Sequence, residues 1–152
     1  MAKLSSPHAS SEIKKIKTSN AAYYKALSAR DLHAMEKVWT CAADNILIAP
    51  PNDPHVHVGW MVIKRNWAAY WPLFDRYSVS MKVNISGPVA WVHGVETSRR
   101  LKKSGEVSGS ENFGTNIFVN RNGRWLMVFH QAAEIPQQSF ERQDRSSPKP
   151  TR

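Results

Sequence analysis

Cysteine is nearly absent from this chain. Cys41 is the only one in 152 residues, so no internal disulfide can form, and its place beside Trp39 and Ala42 reads as a small buried hydrophobe rather than a nucleophile. No apolar run is long enough to cross a bilayer, and the Ser- and Lys-rich start, Met1 to Ser19, lacks the apolar stretch of a secretory signal. These absences point to a cytoplasmic protein without a membrane partner. There is no internal repeat, and the length leaves room for one domain over residues 12–136, with a flexible basic tail over 1–11 and a disordered polar tail over 137–152. No third ligand follows the His55-Val56-His57 pair at useful spacing, and a proline-rich loop holds it. Solvated loop histidines are therefore expected, with no metal and no cofactor.

Acidic residues are scarce as well: 12 Asp and Glu stand against 21 Lys and Arg, a net charge of +9. Outside residues 19–136, eight basic residues face three acidic ones, so the ends carry +5 of that total. The one local run in the remainder, Arg99-Arg100-Leu101-Lys102-Lys103, falls at the end of a strand, where charge marks a solvated tip. The basic residues are not interleaved with exposed aromatics as a base-stacking platform would require, which argues against nucleic acid as a partner.

What the chain has in quantity is periodic apolar patterning. From Glu12, the positions Ile13, Ile16, Tyr23, Tyr24 and Leu27 recur at helical spacing, and Asp31 offers a side-chain oxygen to start a second helix through Leu32, Met35, Val38 and Trp39. A short β run, Asn45 to Ala49, ends at Pro50-Pro51, and Pro50 to Gly59 reads as a loop. After Gly59, Trp60, Ile63, Trp67, Tyr70, Trp71 and Phe74 predict a third helix with an aromatic inward face, ending at Pro72. Tyr77 to Ile85 alternates apolar and polar residues, and Val89 to Leu101 continues the sheet after Gly87-Pro88. The polar loop Lys102 to Gly105 leads to Ser108 to Asn120, which returns as Arg124 to Ala133 through Asn122-Gly123. The fold class is therefore α+β, with three N-terminal helices on one face of a mostly antiparallel sheet.

Several segments carry a family resemblance: Gly59 before an aromatic helix, Val89-Ala90-Trp91-Val92 in mid-sheet, and Thr115-Asn116-Ile117-Phe118 leading to Asn122-Gly123-Arg124-Trp125-Leu126-Met127-Val128-Phe129-His130. In this order the chain resembles the nuclear transport factor 2-like superfamily. Within it the chain is most similar to the SnoaL-like and ketosteroid-isomerase-like small proteins and to the association domain of calcium/calmodulin-dependent protein kinase II. The resemblance implies a cone-shaped, cystatin-like fold whose strongly curved sheet wraps the long helix, a pocket at the open end, and a homodimer formed through the sheet's outer face. Two departures stand out. The isomerases' aspartate base directly precedes a proline, and here that place is Ala49; the pocket arginines of the association domain correspond to Glu96, Asn116 and Ala132, which reverses the pocket's charge and argues against an anionic carboxylate ligand.

The candidate site depends on hairpin register. A two-residue Asn122-Gly123 turn sets Thr115 opposite His130, whereas a three-residue Arg121-Asn122-Gly123 loop with a glycine bulge gathers Asn116, Phe118, Val128 and His130 on one face. The resemblance places the pocket on the even-numbered set and so favours the second. Glu96, Asn116 and His130 are then the candidate catalytic residues, since a carboxylate near an imidazole sets its proton affinity; the alternative is that they merely satisfy one another. Tyr24, Trp39, Trp67 and Trp71, with Phe118 and Val128, are the expected ligand-binding wall for a small apolar or aromatic molecule. Three roles remain open: a small-molecule-binding domain, an isomerase- or dehydratase-like enzyme, and a protein-assembly module. On the opposite face, Trp91, Thr115, Ile117, Val119, Trp125, Met127 and Phe129 form the apolar surface expected to pair with a second subunit.

Overall fold

The computed structural model describes residues 7–48, 55–70 and 76–135. Its elements run α1 (Pro7–Ala29), α2 (Leu32–Val38), β1 (Ile46–Ile48), β2 (Val56–Val58), α3 (Trp60–Tyr70), β3 (Arg76–Ser86), β4 (Val89–Leu101), β5 (Val107–Arg121) and β6 (Arg124–Glu134). The strands form one six-stranded sheet in the order β2-β1-β6-β5-β4-β3, with β1 parallel to β6 and every other pair antiparallel. This is the expected α+β arrangement. No helix among the described residues is long and apolar enough to cross a membrane.

α1 begins at Pro7, inside the stretch read as tail, because proline's fixed φ suits the first helical position. It buries Ile16, Tyr23, Tyr24, Ala26 and Leu27 and ends at Arg30, whose φ of 55° reverses the chain. Asp31 then caps α2 as expected, its side chain accepting from Ala34 N at 2.9 Å, a contact that contributes about 1 kcal/mol. Beyond Trp39 the chain turns at Cys41, which has a φ of 55° and is exposed. The expectation of a buried cysteine fails because the turn points this side chain outward. Its thiol donates weakly to Glu36 O, and partial burial with the nearby Glu36 carboxylate raises its pKa, so it is no activated nucleophile.

Asn45, fully buried, ties this turn together, accepting from Ala42 N and donating to Thr40 Oγ1. Gly59 has a φ of 90°, and a Cβ there would lie 3.2 Å from Ala43 O, so glycine is required where α3 starts. The proline-rich loop proves to contain a strand: β2 pairs with β1 through Ile46–Val58, Leu47–His57 and Ile48–Val56. The prolines precede this run and do not block its ladder. Trp71, Pro72 and Phe74, assigned to the third helix, lie outside the described residues.

The β5–β6 hairpin corrects the register argument. Asn122 (φ 53°) and Gly123 (φ 84°) form the two-residue turn, pairing Arg121 with Arg124 and Val119 with Leu126. The bulge lies further along, between Ile117 and Phe118, where Phe118 pairs with Met127 but Ile117 pairs with Phe129. Val128 is the extra residue. Before it, odd positions of β6 face the helices; after it, even positions do. Trp125 and Met127 are therefore core residues, 4% and 0% exposed, and not part of the outer surface, while Val128 gives up its inward place to Met127. The core under the helices comprises Phe118, Met127, Trp125, Ala90 and Val92 from the sheet against Ile16, Tyr23, Met35 and Ile63. Each fully buried large side chain there contributes about 1.5–3 kcal/mol.

Candidate functional site

Beyond that apolar end, the inner face of the sheet turns polar. Val92 pairs with Asn116, Gly94 with Gly114, and Glu96 with Asn112, while Asn116 pairs with His130 and Gly114 with Ala132. Pleat alternation and the bulge together bring Glu96, Asn112, Asn116 and His130 to one face, all 4% exposed or less. α1 crosses above them and presents Asn20 and Tyr24, one turn apart on its buried side.

These side chains form a directional hydrogen-bond chain. Asn116 Nδ2 donates to Asn20 Oδ1 at 2.8 Å and to the Tyr24 hydroxyl at 3.1 Å. Its Oδ1 is then the acceptor facing His130 Nδ1 at 2.6 Å, which assigns the proton of a neutral imidazole to Nδ1. Tyr24 donates its hydroxyl proton to Glu96 Oε2 at 2.9 Å. The sequence-derived trio Glu96, Asn116 and His130 is thus brought together, but through Tyr24, which had been assigned to an apolar wall.

Burial sets the proton affinities in opposite directions. Desolvation pushes the Glu96 carboxyl up to about 7, partly opposed by the Tyr24 hydrogen bond, and pushes His130 down to about 3. At neutral pH the imidazole is uncharged, whereas the proton affinity of the Glu96 carboxyl lies near neutrality. Gly114 makes room for it: a Cβ there would meet Met81 Cε at 2.9 Å and Glu96 Oε2 at 3.1 Å. Next to it Asn112 is buried with no partner for Oδ1 among the described residues, and Ser98 and Ser110 join hydroxyls at 2.7 Å. Asn20, Asn112 and Gly114 escaped sequence reading because an amide or a glycine in isolation carries no periodic signal.

The aromatic wall is partly as expected. Trp39 and Trp67 stand with ring centroids 5.8 Å apart, and Trp60 lies 6.2 Å from Trp39 and 5.8 Å from Trp67. Tyr23, which the helical spacing places only on the apolar face of α1, links this cluster to the polar chain, 6.3 Å from Trp39 and 5.0 Å from the His130 ring. Phe118 is fully buried in the core beneath, and Trp71 lies outside the described residues. Of the two histidines expected to be solvated in a loop, His57 lies instead half-buried on β2, with Nε2 2.9 Å from Asn66 Nδ2 and its ring 6.5 Å from that of His55. Among the described residues no three His, Cys, Asp or Glu side chains are placed to hold a metal ion.

Residues 16–137 match the profile of the SnoaL-like domain. Among solved structures, the chain is similar to a proposed dehydratase of the nuclear transport factor 2-like family from Streptomyces avermitilis, with 18% identity, 84% of this chain and 98% of that one covered, and a TM-score of 0.72. It is also similar to a proposed calcium/calmodulin-dependent protein kinase II association domain from Xanthomonas campestris, at 19% identity, with 90% and 94% covered and a TM-score of 0.64. A cystatin-like-fold protein of uncharacterised role from Caulobacter vibrioides aligns at 13% identity, with 82% and 90% covered and a TM-score of 0.67. No curated protein matches the chain. At these identities the likeness to solved structures is one of fold, whereas the domain profile spans most of the sequence, and the chain belongs to the SnoaL-like domain family.

Proposed function

We propose that this domain binds a small, largely apolar molecule against the inner face of its sheet, with Glu96 as the proton-exchanging group beside it. The observation that carries this reading is the buried chain His130–Asn116–Tyr24–Glu96, which ends in a carboxyl group whose proton affinity is raised to about 7 and which adjoins an aromatic cluster. With no lysine or arginine among these residues, the site favours an uncharged ligand. Nile red, a neutral apolar probe, is expected to bind the wild-type chain, and His130→Ala to change its affinity about ten-fold, equivalent to ~1.4 kcal/mol. Unchanged affinity in a folded His130→Ala variant would remove the ligand role and leave the chain as scaffold.

The raised proton affinity of Glu96 favours a second reading, acid–base catalysis on such a molecule, since an effective proton donor or acceptor has a pKa near the working pH. Glu96 would then act in place of the base whose position is taken by Ala49.

The outer face supports the homodimer expected from the resemblance. Trp91 is 39% and Phe113 57% exposed, with Val89 also exposed and Ile117 and Phe129 half-buried. A lone subunit would leave this apolar surface in water. Sedimentation equilibrium at micromolar concentration is expected to show a dimer, and Trp91→Glu to shift it toward monomer. A wild-type chain that sediments only as monomer would exclude pairing through this face.

A further inference from the structure

Lys14 and Lys15, whose charge counts with the ends in the sequence, lie on α1 within the folded body. Lys14, Lys15, Thr18 and Ser19 follow helical spacing on α1, on the flank turned away from Ile16 and Tyr23. That flank, Lys37 in the last turn of α2 and Arg124 at the start of β6 line an open cavity of about 390 Å³. Four cationic side chains from three elements converge there, and no Asp or Glu lines it. Of these, Lys15 pairs with Glu12 at 2.8 Å, and Glu12 is held in turn by Trp125 Nε1 at 2.7 Å. Among the described residues the Arg124 guanidinium reaches only the Lys37 carbonyl oxygen, at 3.4 Å, and no carboxylate pairs with Lys14 or Lys37. Like charges gathered around a concavity repel one another, and an anion seated between them reverses the sign of that interaction.

We propose that this cavity, which shares no residue with the inner-face site, binds the phosphate or pyrophosphate group of a small molecule. A phosphate ester carries about −1.5 to −2 charge and three acceptor oxygens, and can satisfy several cations at once, as a single carboxylate cannot. Lysine ammonium groups serve as point charges for such a group, with Arg124 supplying a planar donor fork. A small ligand fits better than a nucleic-acid strand: the cations surround one depression, and the aromatic residue in its wall, Trp125, is only 4% exposed and offers no face for base stacking.

The test is a titration of the full-length ¹⁵N-labelled chain with inorganic pyrophosphate, followed through its amide resonances. Saturable shifts are expected at Lys14 to Ser19, Lys37 and Gly123 to Leu126. The double variant Lys14→Glu/Lys37→Glu, at exposed helix positions, is expected to weaken binding at least about ten-fold, whereas Arg142→Glu/Arg145→Glu leaves it unchanged. Adenosine diphosphate in place of pyrophosphate separates the sources: tighter binding assigns an organic phosphate ester, and equal binding assigns the phosphate group alone. Shifts that do not saturate, or affinity that survives Lys14→Glu/Lys37→Glu but falls with Arg142→Glu/Arg145→Glu, would overturn the site. So would a short oligothymidylate that binds tighter than either phosphate at the same residues, which would assign the groove to a polymer.

Discussion

Replacing Asn116 with alanine is expected to cost about 3–5 kcal/mol of folding stability, more than an ordinary polar-to-alanine change. Asn116 is fully buried and is the branch point of the inner-face chain, serving Asn20, Tyr24 and His130 with one amide group. Alanine withdraws the partner of Asn20 Oδ1 and of the His130 Nδ1 proton together, and each buried group so stranded costs about 1–3 kcal/mol. Asn116→Asp sharpens the test. It keeps the shape and the acceptor toward His130 but sets an oxygen against Asn20 Oδ1, so it should do no better than alanine. Urea denaturation measures both, and a loss below about 1 kcal/mol for Asn116→Ala would show that the chain of hydrogen bonds contributes little to the fold.

Stability is also expected to be nearly flat from pH 4.5 to 6.5 in the wild-type protein, because two buried groups tilt it in opposite directions there. Glu96 has its folded pKa raised from 4.5 to about 7, so its contribution is fully present below pH 4.5 and is lost as pH rises toward 7. His130 has its folded pKa lowered from 6.5 to about 3; its contribution is fully present above pH 6.5 and is lost as pH falls toward 3. In the overlap each slope is about 1.4 kcal/mol per pH unit, and the two offset one another. Removing either group exposes the other. Glu96→Gln should grow more stable with rising pH across this window, and His130→Phe less stable. Parallel pH profiles for the wild type and both variants would mean that neither group changes its proton affinity on folding.

Much of the scaffold was legible in the residues. The alternation from Tyr77 to Ile85 becomes β3, Val89 to Leu101 is β4 to the residue, and Asp31 caps α2, because each is written in a short window of local chemistry. The aromatic stripe of Trp60, Ile63 and Trp67 likewise packs inward as helical periodicity requires. What was misread required partners from elsewhere. β2 was hidden in a proline-rich segment because its pairing with β1 cannot be seen in three residues. The hydrophobic neighbours of Cys41 suggest burial, yet a left-handed turn, not composition, decides which way it points.

By itself the sequence determined the element types, their order and the polar–apolar alternation of each strand, since these follow from side-chain chemistry over a few residues. Only the tertiary structure decided which residues meet. The extra residue at Val128 reverses the inward set of β6, placing Met127 in the core and His130 opposite Asn116, and a bulge of this kind is fixed by packing against β5 and the helices. Tyr24 meets Glu96 across 72 residues, and Lys14 shares a cavity with Arg124 from the far end of the chain. Contacts of that separation form only when the helix layer settles on the curved sheet, and no local pattern specifies where it will lie.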